Sequence, residues 1–198
     1  MRDAAAPGGG AEAVPEPGDS ELMVRVRDGE TDRLGELFDR HHRRLFNFFL
    51  RWTRDSGAAE DMVQEVFVRM LKYRHTFRSG AEFGPWMYAL ARNTAHDQWR
   101  GRPRELADDP DGPEPVAAFE HPIEGMLAEE RRGQLAAALA LLPAEKRELL
   151  LLARSGELRY EAIGELLGIS VGAVKLRVHR AMRDLRGAWH QVAGEAGA

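Results

Sequence analysis

The chain contains 198 residues, of which 43% are hydrophobic and 30% are charged, and its formal net charge is −4. This composition is typical of a globular protein of one or two domains, and it excludes a fibre or a wholly disordered chain. Cysteine is absent, which excludes disulfides, thiol catalysis and zinc sites built from cysteine.

The first segment of the chain, residues 1–18, combines three prolines and a run of three glycines with almost no large apolar side chains. This composition predicts a disordered tail. The segment lacks the basic and then apolar layout of a signal peptide. The longest uncharged run, Gly133 to Ala144, is too short to cross a bilayer. We therefore expect a cytoplasmic protein that makes no membrane contact of its own.

Residues 34–49 carry apolar side chains at helical spacing, which predicts a core helix. His41 and His42 are neighbours on this helix and diverge by about 100°, so they are poorly placed to chelate one metal ion. Neither a metal site nor a cofactor is predicted.

The segment 58–72 predicts an amphipathic helix, because its apolar residues follow an i, i+3, i+4, i+7 spacing. The buried stripe is predicted to be Val63, Val66, Phe67 and Met70, and the exposed face Asp61, Gln64, Glu65, Val68 and Lys72. That face is either a protein-docking surface or simply solvated, and the pattern alone does not separate the two interpretations. A metal or acid–base role for Asp61 and Glu65 is disfavoured, because neither a histidine nor a third carboxylate shares the face.

A polar, basic loop over residues 73–82 precedes a helix that Pro85 is predicted to begin. The buried face of this helix is predicted to contain Phe83, Met87, Leu90 and Thr94. Tyr88, Arg92 and Trp99 share a second face, where aromatic rings interleaved with arginine suit stacked or flipped-out bases. A helix buried on both sides explains the same aromatic residues equally well. The loop contributes Arg74, His75 and Arg78, whose charge suits an extruded base.

Five prolines and many acidic residues between 101 and 122 predict a linker, because few helices or strands tolerate that proline density. Elsewhere no segment alternates apolar and polar residues at a period of two for long. The predicted fold is all-α, with two small helical domains joined by a flexible acidic linker. The predicted boundaries are a tail over 1–18, a domain over 19–103, a linker over 104–121, a helix-turn-helix domain over 122–190 and a tail over 191–198.

The charge is unevenly distributed along the chain. Residues 19–104 contain 16 basic and 13 acidic residues, residues 105–142 contain 2 and 9, and residues 143–190 contain 9 and 6. Two mildly basic domains therefore flank an acidic connector, which leaves nucleic acid open as a partner despite the negative total. In the free protein the acidic residues either mask the basic faces or keep the connector soluble and extended, and both interpretations stay open.

A helix-turn-helix is predicted from residue 160 onward. Gly168 is placed to end the first helix in a left-handed conformation, and Ser170 is placed to cap the second. The small core between the two helices is predicted to be Ile163, Leu167, Ile169 and Val174. Upstream, Pro143 is predicted to start a supporting helix that extends to Leu152.

The second helix separates an apolar face from a polar one when it is projected at about 100° per residue. The polar face is predicted to carry Gly172, Ala173, Leu176, His179, Arg180 and Arg183, flanked by Lys175 and Arg177. Arg180 or Arg183 suits a guanine, Leu176 suits a thymine methyl, and the flanking cations suit phosphates. An arginine-rich face is usually only solvated, but the turn, the cap and an exposed leucine together favour DNA binding.

Several of these segments together resemble one bacterial family. They are Asp61-Met-Val-Gln-Glu65, Trp86-Met-Tyr-Ala-Leu-Ala-Arg-Asn93, Leu142-Pro143, Tyr160-Glu-Ala-Ile163 and Ile169-Ser-Val-Gly-Ala-Val-Lys175. In this order, and with a short connector, they are similar to the extracytoplasmic-function group of sigma-70 RNA polymerase sigma factors.

The resemblance implies a role for each segment. Asp61, Gln64 and Glu65 match the positions that bind the clamp helices of the polymerase β′ subunit. Arg92, Asn93 and the loop 73–82 match the part that reads and opens the −10 promoter element. The part that reads the −35 element is matched by Lys175, Leu176, Arg177, His179 and Arg180. Ala173 replaces a common threonine and Leu176 a common serine, so a typical −35 preference is not assumed.

We therefore predict a transcription initiation factor that is not an enzyme. Its implied partners are promoter DNA and core RNA polymerase, through the β′ clamp helices and the β flap, with an anti-sigma factor as a further candidate. A dimeric helix-turn-helix regulator is the alternative, and it predicts binding to palindromic duplexes without polymerase. A nucleic-acid enzyme using Asp61, Glu65 and Asp97 is disfavoured, because it needs a metal ion and the sequence offers no plausible cluster.

Overall fold

The computed structural model describes residues 17–101 and 122–195, with side chains over residues 17–98 and 131–194. Every regular element in these ranges is helical, which confirms the all-α prediction. The helices are α1 Asp19–Arg27, α2 Leu34–Thr53, α3 Ser56–Tyr73, α4 Phe83–Gly101, α5 Pro122–Ala140, α6 Ala144–Ala153, α7 Tyr160–Leu167 and α8 Val171–Glu195, with short 3₁₀ turns at Thr31–Arg33 and Arg74–Thr76. The predicted linker over 104–121 lies outside the described residues. Across the helices of the described ranges, none is both long and apolar enough to span a membrane.

Helices α1 to α4 pack around the apolar core that the spacing in α3 predicts. The predicted stripe of α3 is buried, and α2 packs on it with Leu37, Leu45 and Phe49. Burying one side chain of this size contributes about 1.5–3 kcal/mol, so the core fixes α2 relative to α3. Asp55 caps α3 by accepting a hydrogen bond from the Ala58 backbone N–H at 3.0 Å.

Three predicted helix boundaries differ from the structure. Helix α4 begins at Phe83, so Pro85 lies inside the first turn, where a missing N–H breaks no helical hydrogen bond. Pro143 is the residue before α6 and not its first residue. Helix α8 continues past residue 190, where a tail was predicted, because Trp189 and Val192 are half-buried and α8 packs along α5.

The helix-turn-helix forms as the sequence predicts. Gly168 ends α7 with φ 67° and ψ 34°, and the Ala173 backbone N–H donates to the Ser170 hydroxyl at 3.2 Å. Ile163 and Val174 are fully buried between the helices. Gly164 is also required, because a Cβ there would lie 2.7 Å from the carbonyl oxygen of Ile169.

The two halves of the structure contact each other around a buried carboxylate. Arg92 Nε on α4 donates to Glu148 Oε1 on α6 at 2.5 Å, and His96 Nε2 lies 3.1 Å from the same oxygen. Arg44 on α2 pairs with Glu157 between α6 and α7. Because Glu148 is only 6% exposed, α4 and α6 bury its charge between them.

Candidate nucleic-acid interface

The exposed side of α8 and its N-terminal cap carry the predicted DNA-contacting residues. They are Ser170, Gly172, Lys175, Leu176, Arg177, His179, Arg180 and Arg183, with Ala173 half-buried at the edge. Leu176 is 50% exposed, whereas Leu185 on the same helix packs against the core. Val174, Val178 and Ala181 are buried on the opposite side. The structure therefore brings these residues onto one accessible surface.

Two basic residues of α6 help to hold α8 in position, one directly and one through α5. Lys146 Nζ lies 2.7 Å from Asp184 Oδ2 on α8, and this contact lowers the pKa of Asp184. Arg147 donates to the carbonyl oxygens of Leu139, Ala140 and Leu142 at 3.0, 2.9 and 3.2 Å. These bonds satisfy carbonyl groups at the end of α5, which itself packs along α8. Helices α5 and α6 thus hold α8 in place.

The exposed face of α3 has the composition that the sequence predicts. Asp61, Gln64 and Lys72 are exposed, and Val68 is 60% exposed. Glu65 is held by Arg69, whose Nε donates to it at 2.6 Å and whose Nη1 donates to Asp97 on α4 at 2.8 Å. Burial opposes the charge of Arg69, but these two carboxylates outweigh it and raise its pKa. The acidic face is therefore partly rigid and leaves Asp61 and Gln64 open to a partner.

The loop before α4 is anchored by a buried residue, and its apex is exposed. Phe77 is 1% exposed and packs edge-to-face on Trp86, with 5.3 Å between ring centroids. Arg78 is exposed at the apex, whereas Arg74 is half-buried and donates to the Leu71 carbonyl oxygen at 2.7 Å. Asn93 is exposed on α4. Arg78 and Asn93 are thus the open members of the predicted −10 set.

The assignment of Tyr88 to the DNA surface is wrong. Its side chain is 1% exposed and packs edge-to-face on Phe48 at 5.4 Å. Burial raises the pKa of Tyr88 to about 12, although a hydrogen bond with Ser155 opposes the shift. Helix α4 is covered by α2 on one side and by the second half of the chain on another, so the core interpretation of this aromatic residue is correct. The Trp99 side chain lies outside the described residues.

Arg92 belongs to a cleft between the two halves. The cleft has a volume of about 610 Å³ and is lined by Arg92, His96, Glu145, Lys146, Glu148, Leu149, Leu167, Arg177 and Arg180. Residues assigned from sequence to two different DNA elements therefore face the same space. Cations outnumber carboxylates in this lining, so the cleft attracts anions.

Comparison with known proteins agrees with this layout. The family described as Sigma-70 region 2 matches residues 37–105, and the family described as Sigma-70 region 4 matches residues 132–185. RNA polymerase sigma factor CarQ of Myxococcus xanthus is 34% identical over 83% of this chain and 93% of its own. ECF RNA polymerase sigma factor SigF of Caulobacter vibrioides is 35% identical over 83% of this chain and 89% of its own. The chain belongs to the extracytoplasmic-function group of sigma-70 factors.

Solved structures of similar fold include two protein complexes. CnrH in complex with the cytosolic domain of CnrY has a TM-score of 0.65 and 24% identity, covering 85% of this chain and 95% of CnrH. RpoE of Bartonella quintana, bound to the anti-sigma factor NepR, has a TM-score of 0.60 and 23% identity, covering 78% and 94%. At these identities the likeness shows that this sigma factor shares their fold.

Two residues that shape the sigma-factor surfaces, Glu148 and Arg27, could not be recognised from sequence spacing. Glu148 pairs with Arg92 across 56 positions, and Arg27 contacts Ser79 across 52 positions. Spacing within one helix carries no information about such distant partners. Arg147 bonds the Ala140 carbonyl oxygen from seven positions further along, in the next helix, and spacing within α5 does not indicate this contact either.

Proposed function

We propose that this sigma factor docks on core RNA polymerase through the exposed face of α3 and reads promoter DNA with two surfaces. The −35 surface is the exposed side of α8 with its cap. The −10 surface comprises the loop 73–82 with Arg92 and Asn93. The observation that best supports this is the occurrence of both sigma regions in one chain, each with an exposed surface of suitable charge.

The α3 face suits a protein partner because it combines an exposed apolar residue with two acidic residues, one of which is held in place. Val68 offers apolar area beside Asp61 and Gln64. Glu65 is already positioned by Arg69, so less side-chain entropy is lost when a partner binds. We therefore expect the surface of the β′ clamp helices that meets α3 to be basic.

Promoter opening is proposed to proceed by selective binding, without catalysis by this protein. Unstacking a base costs a few kcal/mol, and capturing it on the protein offsets that cost. The exposed apex of the loop and Asn93, which is exposed on α4, offer polar groups to a base that has left the duplex. Bond formation is left to the polymerase.

The −35 surface is proposed to enter the major groove, with Arg180 or Arg183 reaching base edges and Lys175 and Arg177 contacting phosphates. Arg92 of the −10 surface and Arg177 and Arg180 of the −35 surface line the same cleft, and Arg92 is paired there with Glu148. Both surfaces are therefore proposed to act together after the halves separate and Arg92 leaves Glu148.

An anti-sigma factor is proposed as a further partner. NepR is such a factor, and the structure of its complex with RpoE shares the fold of this chain. We place the protein in the bacterial cytoplasm, where core polymerase and promoter DNA are found.

The proposed function is tested with purified protein, core polymerase and a pool of randomised duplex DNA. The protein with core polymerase should select two separated sequence elements, and permanganate should detect unpaired thymines in the downstream one. The protein alone should select no palindrome. Enrichment of a palindrome without polymerase, together with no binding to core, would instead identify a dimeric helix-turn-helix regulator.

A further inference from the structure

Helix α1 holds both ends of the loop that precedes α4. Arg27 Nη1, at the end of α1, donates to the Phe77 carbonyl oxygen at 3.3 Å and to Ser79 Oγ at 2.9 Å. The Phe83 backbone N–H, at the start of α4, donates to Ser20 Oγ in the first turn of α1 at 3.1 Å. Helix α1 precedes the residues matched by Sigma-70 region 2, which begin at residue 37.

A hydrogen bond joins the two ends of the loop between these contacts. Trp86 Nε1 donates to Thr76 Oγ1 at 3.2 Å, just before the buried Phe77. The Ala81 backbone N–H donates to the Arg78 carbonyl oxygen at 3.1 Å, and Gly80 completes this turn with φ 84°. Since Arg78 and Ser79 are exposed, the apex of the loop is open to a partner while its two ends are held in place.

Helix α1 is itself firmly attached to the bundle. Leu22, Met23 and Val26 are fully buried. In its first turn, Asp19 lies 2.9 Å from Arg40 and 2.6 Å from His41, both on α2. The α1 contacts therefore connect the loop to the core of the first half.

The Arg27 guanidinium is oriented by its sequence neighbour. Its Nε and Nη2 donate to the two carboxylate oxygens of Asp28 at 2.7 and 3.1 Å, which raises the pKa of Arg27. Nη1 is left to face the loop. Such a fork loses little freedom when it forms each bond, because the planar group is already aligned.

We infer that Arg27 and Ser20 are positioning residues of the −10 surface, which set the conformation of the loop and so determine which unpaired base it accepts. Contact with a base requires donor–acceptor distances of about 2.7–3.2 Å, so a small displacement of the apex changes which base fits. Neither residue is proposed to contact DNA, and both act by holding the ends of the loop. The inference rests on the proposed −10 role of this loop.

The test compares Arg27→Ala with Arg25→Ala in complex with core polymerase. Arg25 lies on the same helix, and its side chain pairs with Glu21, one turn earlier, at 2.6 Å. DNA is selected from the randomised duplex pool, and open-complex yield is measured on the sequence that wild type prefers. We expect Arg27→Ala to lower this yield about three- to tenfold, the effect of losing one or two hydrogen bonds, and to flatten the base preference in the −10 element.

Three further readouts separate positioning from general stability. Affinity for core polymerase and the −35 preference should match those of wild type. Arg27→Lys should recover part of the lost preference, because an ammonium group can still donate to Ser79 or Phe77. Ser20→Ala should produce a smaller change of the same kind at the other end of the loop.

The inference is overturned if Arg27→Ala leaves the −10 preference unchanged, or if it weakens core binding, −35 readout and −10 readout in proportion. If Arg27→Ala does not fold, the test rests on Arg27→Lys and Ser20→Ala. The inference is then overturned if both variants keep the wild-type base preference in the −10 element. A wild-type protein that binds core but selects no DNA element would contradict the proposed function itself, and this outcome is visible before any variant is compared.

Discussion

The surface on α8 and the surface formed by α4 with its loop differ in how the fold holds them. On α8, Lys175, Arg177 and Arg180 form no ion pair with any residue that the structure describes. On the other surface, Arg92 is paired with Glu148 and the loop is bonded to α1. A duplex keeps its own shape and needs only a rigid helix with available cations, whereas an unpaired base has no fixed surroundings and needs a prepared site.

This difference suggests an order of events. Lys175, Arg177 and Arg180 are exposed to solvent on α8, so they can meet DNA phosphates early. The α4 surface is completed only when Arg92 is released from Glu148. Recognition of the duplex can thus precede capture of unpaired bases, and each prediction below tests one side of this comparison.

The largest effect is expected at α3, on which both surfaces depend for their polymerase. Asp61→Arg should lower the affinity for core polymerase by about a hundredfold, because a like-charge contact at an interface costs several kcal/mol. Asp61 is exposed, so the fold should be retained, which thermal unfolding can verify. Glu161→Arg, an exposed reversal on α7, is the matched control and should bind as wild type. Equal titration curves for all three proteins would remove the docking role from this face.

On the α8 surface, residues that recognise base edges can be distinguished from residues that contact phosphates. Arg180→Ala should cost about 1–3 kcal/mol on the preferred −35 sequence and relax its base preference. Lys175→Ala should weaken binding evenly on all sequences and flatten the salt dependence by about one unit of slope. Affinities of the polymerase complex over a salt series measure both. Identical losses on every sequence for both variants would mean that α8 only contacts phosphates.

The two surfaces also differ in how well the sequence predicts them. Spacing within one helix was sufficient for α8, because Val174 and Val178 are buried by local neighbours and Lys175 and Arg177 stay outside. For α4 the same reasoning failed at Tyr88, since the groups that cover it, Phe48 and Ser155, are remote in sequence. A helix projection shows which residues share a face, and it cannot show how many faces are covered.

Tyr88 provides a pH test of its place in the core. A tyrosine in the unfolded chain ionises near pH 10, whereas burial raises the pKa of Tyr88 to about 12. Its contribution to stability is complete below pH 10 and is lost as the pH rises toward 12, by up to about 2 kcal/mol. Tyr88→Phe should lack this loss, so the difference in unfolding free energy between the two proteins should change over that range. A constant difference from pH 9 to pH 12 would place the tyrosine in solvent.

The contact between the halves can be weakened without substituting any residue of either DNA surface. Glu148→Gln removes the negative charge that Arg92 and His96 share, which should shift the equilibrium toward separated halves by about 1 kcal/mol. Fluorescent labels on α3 and on the end of α8 would report the distance distribution. Glu145→Gln is the control, because Glu145 lines the same cleft but is exposed. If both variants match wild type, Glu148 does not hold the closed arrangement.

The smallest effect concerns the acidic connector, whose central residues lie outside those that the structure describes. Replacing Asp108, Asp109, Asp111 and Glu114 with Asn or Gln removes four negative charges from a segment tethered to both basic halves. If these charges occupy the α8 cations in the free protein, the neutral variant should bind promoter DNA a few-fold more tightly at low salt. The gain should shrink at moderate salt, because screening weakens the internal competitor as well. Equal binding of both proteins at low salt would leave the connector as a spacer and show that the α8 surface is available to DNA before polymerase arrives.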